Sequence, residues 1–382
     1  MQYNASEAGI YLHIPFCHQA CHYCNFHFST SLQHKPELVQ AILKEIVQRR
    51  DYLGGKAIRS IYFGGGTPSL LSNTELQTIM ECLHQHFSVL PHAEITLEAN
   101  PEDIRAAAVH TWIASGINRL SIGIQSFSNT LLQWMHRNHS GEQAEASIQI
   151  AQDAGIAVLS ADLIYGIPGL SDAQWEQDVS KLISLEVSHI SAYALTVEPK
   201  TALAHQINSG KSPTTDDAQS ARQFHALRDW LRQAGYVHYE ISNYALEGRI
   251  AVHNTGYWMG QEYLGLGPSA HSFNGNSRQW NLANNARYIA LVEQGSDYSE
   301  REELDIHKRM NERIMTALRT IWGLDLRDFA AQFGEAHLHR LLKEAEILIA
   351  EEKVEISNHR MHILPGHVFT ADSVISQLFF VE

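Results

Sequence analysis

Three of the chain's four cysteines fall within eight residues, in Cys17-His-Gln-Ala-Cys21-His-Tyr-Cys24. They follow directly on the apolar, strand-like run Tyr11-Leu-His-Ile-Pro-Phe16. Whatever this chain folds into must hold three thiols together at the end of its first strand. Thiolates at CxxxCxxC spacing can hold three irons of a [4Fe–4S] cluster, whereas a closed electron-transfer cluster takes four cysteines. The fourth iron is then open, and the amino and carboxylate groups of S-adenosylmethionine (SAM) can chelate it. An electron passed into the adjacent sulfonium would release a 5'-deoxyadenosyl radical, which the protein has to shield from water. Zinc is the rival for the same thiols. Closed zinc sites normally add a second Cys/His pair, and none is evident in the sequence.

With 382 residues, 44% of them apolar, the chain can bury one large core and a smaller satellite. The amino terminus has neither the basic segment nor the apolar run of a secretory signal, and no window reaches the length of a spanning helix. A soluble cytoplasmic protein is expected, and so is a reducing compartment, since clustered cysteines do not read as a disulfide framework. Cys82 reads as a buried helical thiol. A formal charge of −14 disfavours nucleic acid as a partner, because phosphate contacts need a basic face. Of the 23 histidines, His13, His18, His22 and His27 crowd the cysteine loop. Most of the 23 read as surface or hydrogen-bonded side chains rather than metal ligands.

From residue 9 to about 200, short β-branched runs alternate with longer amphipathic ones, the pattern of repeated βα units and a parallel sheet. Strands are expected at Gly9–Ile14, Arg59–Phe63, Ala93–Glu98, Arg119–Ile124, Ala157–Ile164 and His189–Ala194. Helices are expected near Pro36–Tyr52, Thr74–Phe87, Pro101–Ser115, Ser128–Met135, Glu142–Ala154, Asp172–Leu185 and Ala218–Ala234. Six such units make a partial (β/α)6 barrel, with chemistry at the carboxyl ends of the strands.

Tyr11-x-His-Ile-Pro-Phe-Cys17, followed by Gly64-Gly-Gly-Thr-Pro68, resembles the radical SAM superfamily. Within it the match is to the branch that holds oxygen-independent coproporphyrinogen III oxidase (HemN) and the heme chaperones of the HemW family. That resemblance implies an α/β radical SAM barrel with a bound [4Fe–4S] cluster and SAM. Cys17, Cys21 and Cys24 would ligate the cluster. Gly65, Gly66 and Thr67 would meet the amino group of SAM, since glycine lets backbone approach a ligand closely. Glu98, Gln125 and Asp162 close successive strands, where buried polar groups need partners, and SAM supplies them. Arg137 is a candidate for the SAM carboxylate, and Tyr11, Tyr23, Ala194 and His271 complete the expected SAM set. Taken singly, each of Glu98, Gln125 and Asp162 also fits a helix cap or loop hydrogen bond, and Arg137 a solvated loop arginine.

Tyr236–Tyr244 alternates like one strand and leads into His253-Asn-Thr-Gly-Tyr257-Trp258 and Tyr263–Ser272. Aromatics, glycines and neutral imidazole suit a planar tetrapyrrole, so His253, Tyr257, Trp258 and His271 are candidates for heme binding. The same residues also suit a lining for the open side of the barrel. From about Leu304, helices at His307–Ile321, Leu326–Phe333 and Ala336–Glu352 precede a hairpin over Val354–Leu364 and a helix near Thr370–Phe380. This reads as a winged-helix-like α+β module. Counting residues 301–382 gives 10 Lys/Arg against 14 Asp/Glu, net −4, which favours a lid or partner surface over a DNA reader. Domains are accordingly expected at 1–235, 236–300 and 301–382.

Two departures separate the chain from the oxidase. Phe26 stands where that family continues its motif with a further cysteine, and Tyr11 comes without the oxidase's amino-terminal extension. Both departures, with the His253-Asn-x-x-Tyr-Trp258 motif, resemble the heme-chaperone side. That side implies heme as ligand, heme-acceptor proteins such as respiratory proteins as partners, and an electron donor to the cluster. Any membrane contact would run through the acceptors. A radical enzyme acting on a porphyrinogen or on heme is the competing class.

Overall fold

The computed structural model describes residues 6–381. Strands and helices alternate as β1 (Glu7–Ile14), α1 (Lys35–Gln48), β2 (Ala57–Gly65), α2 (Asn73–His86), β3 (Val89–Ala99), α3 (Ala106–Ala114), β4 (Arg119–Gln125), α4 (Asn129–Trp134), α5 (Gly141–Asp153), β5 (Val158–Tyr165), α6 (Asp172–Ser184) and β6 (His189–Ala194). The six strands pair in parallel, in chain order. Strand β1 is buried on both faces, with Ile10, Leu12 and Ile14 on one and Gly9 and His13 on the other, as a covered sheet requires. Local chemistry starts the helices. Ser72, Ser140 and Ser171 each form a capping box, with Glu75, Gln143 and Gln174 respectively.

The chain then continues as α7 (Ala202–Asn208), α8 (Asp217–Gln233), β7 (Val237–Glu240), β8 (Asn243–Ala245), α9 (Val252–Trp258), β9 (Tyr263–Leu266), β10 (His271–Phe273), β11 (Ser277–Asn281), α10 (Asn285–Gln294) and β12 (Ser299–Glu303). These strands extend the six-stranded core to twelve, in the order β12-β11-β10-β9-β1-β2-β3-β4-β5-β6-β8-β7. Two sequence expectations need correction. The run 236–244 is a hairpin rather than one strand, because it folds back at Ile241–Ser242 and β8 pairs antiparallel with both β7 and β6. The helix α7, which the sequence pattern did not suggest, starts where the Thr201 hydroxyl accepts from the Ala204 N–H.

A second core, around Met310, Ile314, Phe329, Leu341 and Met361, belongs to α11 (Ile306–Leu318), β13 (Leu324–Asp325), α12 (Leu326–Phe333), α13 (Glu335–Ala350), β14 (Val354–Ser357), β15 (Arg360–Ile363) and α14 (Ala371–Ser376). Its sheet is antiparallel in the order β13-β15-β14, matching the expected helices and wing. Backbone bonds Ile241 N–H to Arg319 O and Ile321 N–H to Tyr239 O join the two parts. No helix among the described residues is long and apolar enough to cross a membrane.

Candidate functional site

The cysteine loop leaves β1 and is closed at its base: Cys17 N–H donates to Ser29 O, and Ser29 N–H to Pro15 O. Histidines fasten the rest of it. His18 Nε2 lies 2.8 Å from Asp103 Oδ1. His22 and His136 stack at 4.9 Å, each with Nδ1 on a backbone carbonyl of the other's segment, Trp134 O and Ala20 O. His13 Nε2 is bonded to His27 O, and His27 Nε2 to Asn285 Oδ1. Each of these histidines of the loop therefore has a partner in the fold. Cys82 lies apart, half-buried, with its thiol toward Leu43 O.

The three loop cysteines line a cavity of about 480 Å³ at the carboxyl ends of the barrel strands, together with Tyr23, Gly65, Gly66, Thr67, Glu98, Gln125, Arg137, Asp162 and Ala194. The backbone of Gly66 packs so close to the loop that a Cβ there would lie 2.7 Å from Phe16 O. Thr67 is buried and accepts from Asn100 Nδ2. Gln125 holds φ of 65°, a conformation that costs a non-glycine residue about 1 kcal/mol or more and that clusters at functional sites. Tyr62, Asn100, Ser121 and Gly123 also belong to this region, and the sequence reading did not single them out.

The charges in this cavity are poorly matched among themselves. Burial pushes the Glu98 carboxyl up to about 7, with the charge of Asp162 adding to it, although Tyr62 O–H (2.7 Å) and Gly65 N–H (3.2 Å) donate to it. Burial likewise raises Asp162 to about 6, against the hydroxyl of Ser121. Arg137 donates from Nη2 to Asn100 Oδ1 (2.8 Å) and Gly123 O (2.9 Å), with Nη1 3.5 Å from Cys21 Sγ, yet its buried Nε has no acceptor among the described residues. Two buried carboxyls without an ion pair among the described residues, in one cavity with the Arg137 guanidinium, fit a ligand carrying an amino group, hydroxyls and a carboxylate. Burial also pushes the Cys17 thiol up to about 11 and raises Cys24. Such thiols take the thiolate form when a metal centre supplies the positive charge. Among the described residues no three His, Cys, Asp or Glu side chains are gathered around one ion.

A second cavity, of about 830 Å³, lies against the carboxyl-terminal module and shares Asn25 and Phe26 with the first. Tyr257, Trp258, Tyr263, His271 and Phe273 line it from the barrel side, and Arg309, Arg313, Met315 and Thr316 from α11. Tyr11 and His271, expected beside SAM, line this larger cavity instead. Tyr11 O–H bonds to His13 Nδ1 and its ring stacks on Tyr62, while His271 opens β10 and stacks on Trp280. His253 is corrected too, for it lines neither cavity. Its Nδ1 shares a hydrogen bond with Ser60 Oγ (2.9 Å) and its Nε2 with Tyr257 O–H (2.8 Å), and burial lowers it to about 3. It is a satisfied core imidazole that holds Tyr257. Trp258 and Gln261 also line this cavity, while Trp258 Nε1 and Gln261 Nε2 are buried behind its surface without acceptors among the described residues.

An open parallel barrel with a three-thiol loop at its mouth defines the radical SAM class. The Radical SAM superfamily model matches residues 11–182, and the HemN C-terminal domain model matches residues 304–364. The chain is 30% identical over 370 residues to the heme chaperone HemW of Bacillus subtilis, covering 94% of this chain and 98% of that one. To the heme chaperone HemW of Mycobacterium tuberculosis it is 33% identical over 375 residues, covering 97% and 94%. The chain belongs to the HemW family of radical SAM proteins. Membership implies a [4Fe–4S] cluster and SAM. The solved coproporphyrinogen III oxidase (HemN) from Escherichia coli, a radical SAM enzyme, shares the fold, with a TM-score of 0.86 at 22% identity over 98% of this chain and 91% of that one.

Proposed function

We propose that the chain is a heme chaperone, which binds heme in the larger cavity and passes it to acceptor proteins in the cytoplasm. The observation that carries this reading is a second cavity of about 830 Å³, walled by aromatics and contiguous with the cluster cavity at Asn25 and Phe26. Full-length likeness to proteins named heme chaperones supports it. Cys17, Cys21 and Cys24 ligate the cluster, which with SAM supplies one-electron chemistry when bound. Glu98 would accept from the SAM amino group, beside the backbone of Gly65, Gly66 and Thr67. Arg137 receives the carboxylate, and Asp162, Gln125, Tyr23 and Ala194 border the nucleoside. Residues 1–235 carry this machinery, 236–300 complete the sheet and 301–382 wall the heme side.

Oxidase chemistry is the second reading, favoured by the shared fold with HemN. Against it stands Phe26, 68% exposed at the junction of the cavities, where the oxidase pattern has a cysteine. Anaerobic incubation of the reconstituted protein with coproporphyrinogen III, SAM and a reductant separates the two. No decarboxylated product is expected, and product formation would move the assignment to an enzyme.

A further inference from the structure

The larger cavity has more hydrogen-bond donors than its own acceptors satisfy. Arg309 and Arg313 line it from α11, one helical turn apart, about 6 Å along the axis at 1.5 Å per residue. The cavity's third guanidinium, Arg278, is already held: Glu312 accepts from it at 2.6 and 3.1 Å, Tyr263 O–H lies at 3.2 Å and the ring of Phe273 lies beneath it. Among the described residues, neither Arg309 nor Arg313 has a side-chain hydrogen bond or ion pair, and Arg309 meets only the ring of Phe333, 5.9 Å away. Asp328, on α12, is the remaining carboxylate of the wall. Burial lowers Arg313, and the charges of Asp328 and Asp325 act against that lowering while Arg360 adds to it. Donors that a ligand would cover are costly to leave unmet, and guanidiniums match carboxylates best.

We propose that Arg309 and Arg313 form a clamp for the paired carboxylates on one edge of a planar, otherwise apolar ligand. The carboxyl-terminal module would thus read the acid edge, while Tyr257, Trp258 and Phe273 meet the apolar rings. The ligand class is a tetrapyrrole dicarboxylate, and the clamp deepens the heme reading and rests on it. It also gives the module a selective role: a tetrapyrrole with its acid edge blocked would fit the aromatics and leave the guanidiniums unmet.

The test is a titration of the reconstituted full chain with heme and with heme dimethyl ester in the same solvent mixture, repeated on the Arg309→Gln/Arg313→Gln variant. The parent should prefer the diacid by about tenfold or more, as charge-assisted hydrogen bonds imply. The variant should lose that preference while keeping its affinity for the ester and its cluster iron. Equal binding of acid and ester by the parent overturns the clamp, as does a variant that keeps the preference. The parent comparison alone decides if the variant does not fold. Should the parent bind neither compound, the heme reading itself falls and the clamp with it.

Discussion

Cys17, Cys21 and Cys24 share the cluster cavity while Cys82 sits between α1 and α2, so serine at each of the three should abolish the cluster and Cys82→Ser should not. Iron and acid-labile sulfide assays on anaerobically reconstituted protein check this, and an intact cluster in Cys21→Ser would refute the ligand set. Glu98 makes a pH prediction. Its carboxyl, raised to about 7, accepts best from the SAM amino group when ionised, so SAM affinity should climb with pH through about 7 and then level. Calorimetry should show Glu98→Gln binding more weakly and with that rise flattened; an unchanged pH profile would remove Glu98 from the site. Without ligand the sign reverses. A carboxyl whose folded value is raised costs the apo-protein stability as pH rises from the ordinary carboxylate range to about 7. The glycine run, Glu98, Gln125 and Asp162 were legible because each interrupts a strand end with a residue type that a core does not need. Arg309 and Arg313 were not, since arginines on an amphipathic helix read as solvated until the fold turns that face inward.

The βα alternation was legible because strands buried on both faces read as apolar runs and three of the intervening helices open on capping boxes. The strands β9 to β12 were not, being three to five residues long and formed only by adding to the barrel edge. One buried side chain ties that addition to α1. Glu45, fully buried, accepts from Gly267 N–H (2.7 Å), Asn281 Nδ2 (2.7 Å) and Tyr288 O–H (2.5 Å), with Arg49 beside it at 3.6 Å. Glu45→Ala would remove the acceptor of Gly267 N–H and Tyr288 O–H and the counter-charge of the buried Arg49, at a cost of about 3 kcal/mol or more. Chemical denaturation should register that loss, and a change below about 1 kcal/mol would show that the junction does not depend on this residue.

Across the whole molecule, two cavities meet at Asn25 and Phe26, one presenting thiols and carboxyls, the other aromatics and two arginines without a side-chain hydrogen bond or ion pair among the described residues. The carboxyl-terminal module, net acidic over 301–382, walls the second cavity with the Arg309 and Arg313 face of α11. His253, behind Tyr257, should influence heme only through that tyrosine's position, whereas Tyr257, Trp258 and His271 stand on the wall itself. A radical SAM barrel proposed as a heme carrier has first to bind heme. The most direct measurement is an anaerobic titration of the reconstituted chain with heme, followed by its absorption band. A band that saturates at one heme per chain is the predicted result, and a band that never saturates would contradict the account.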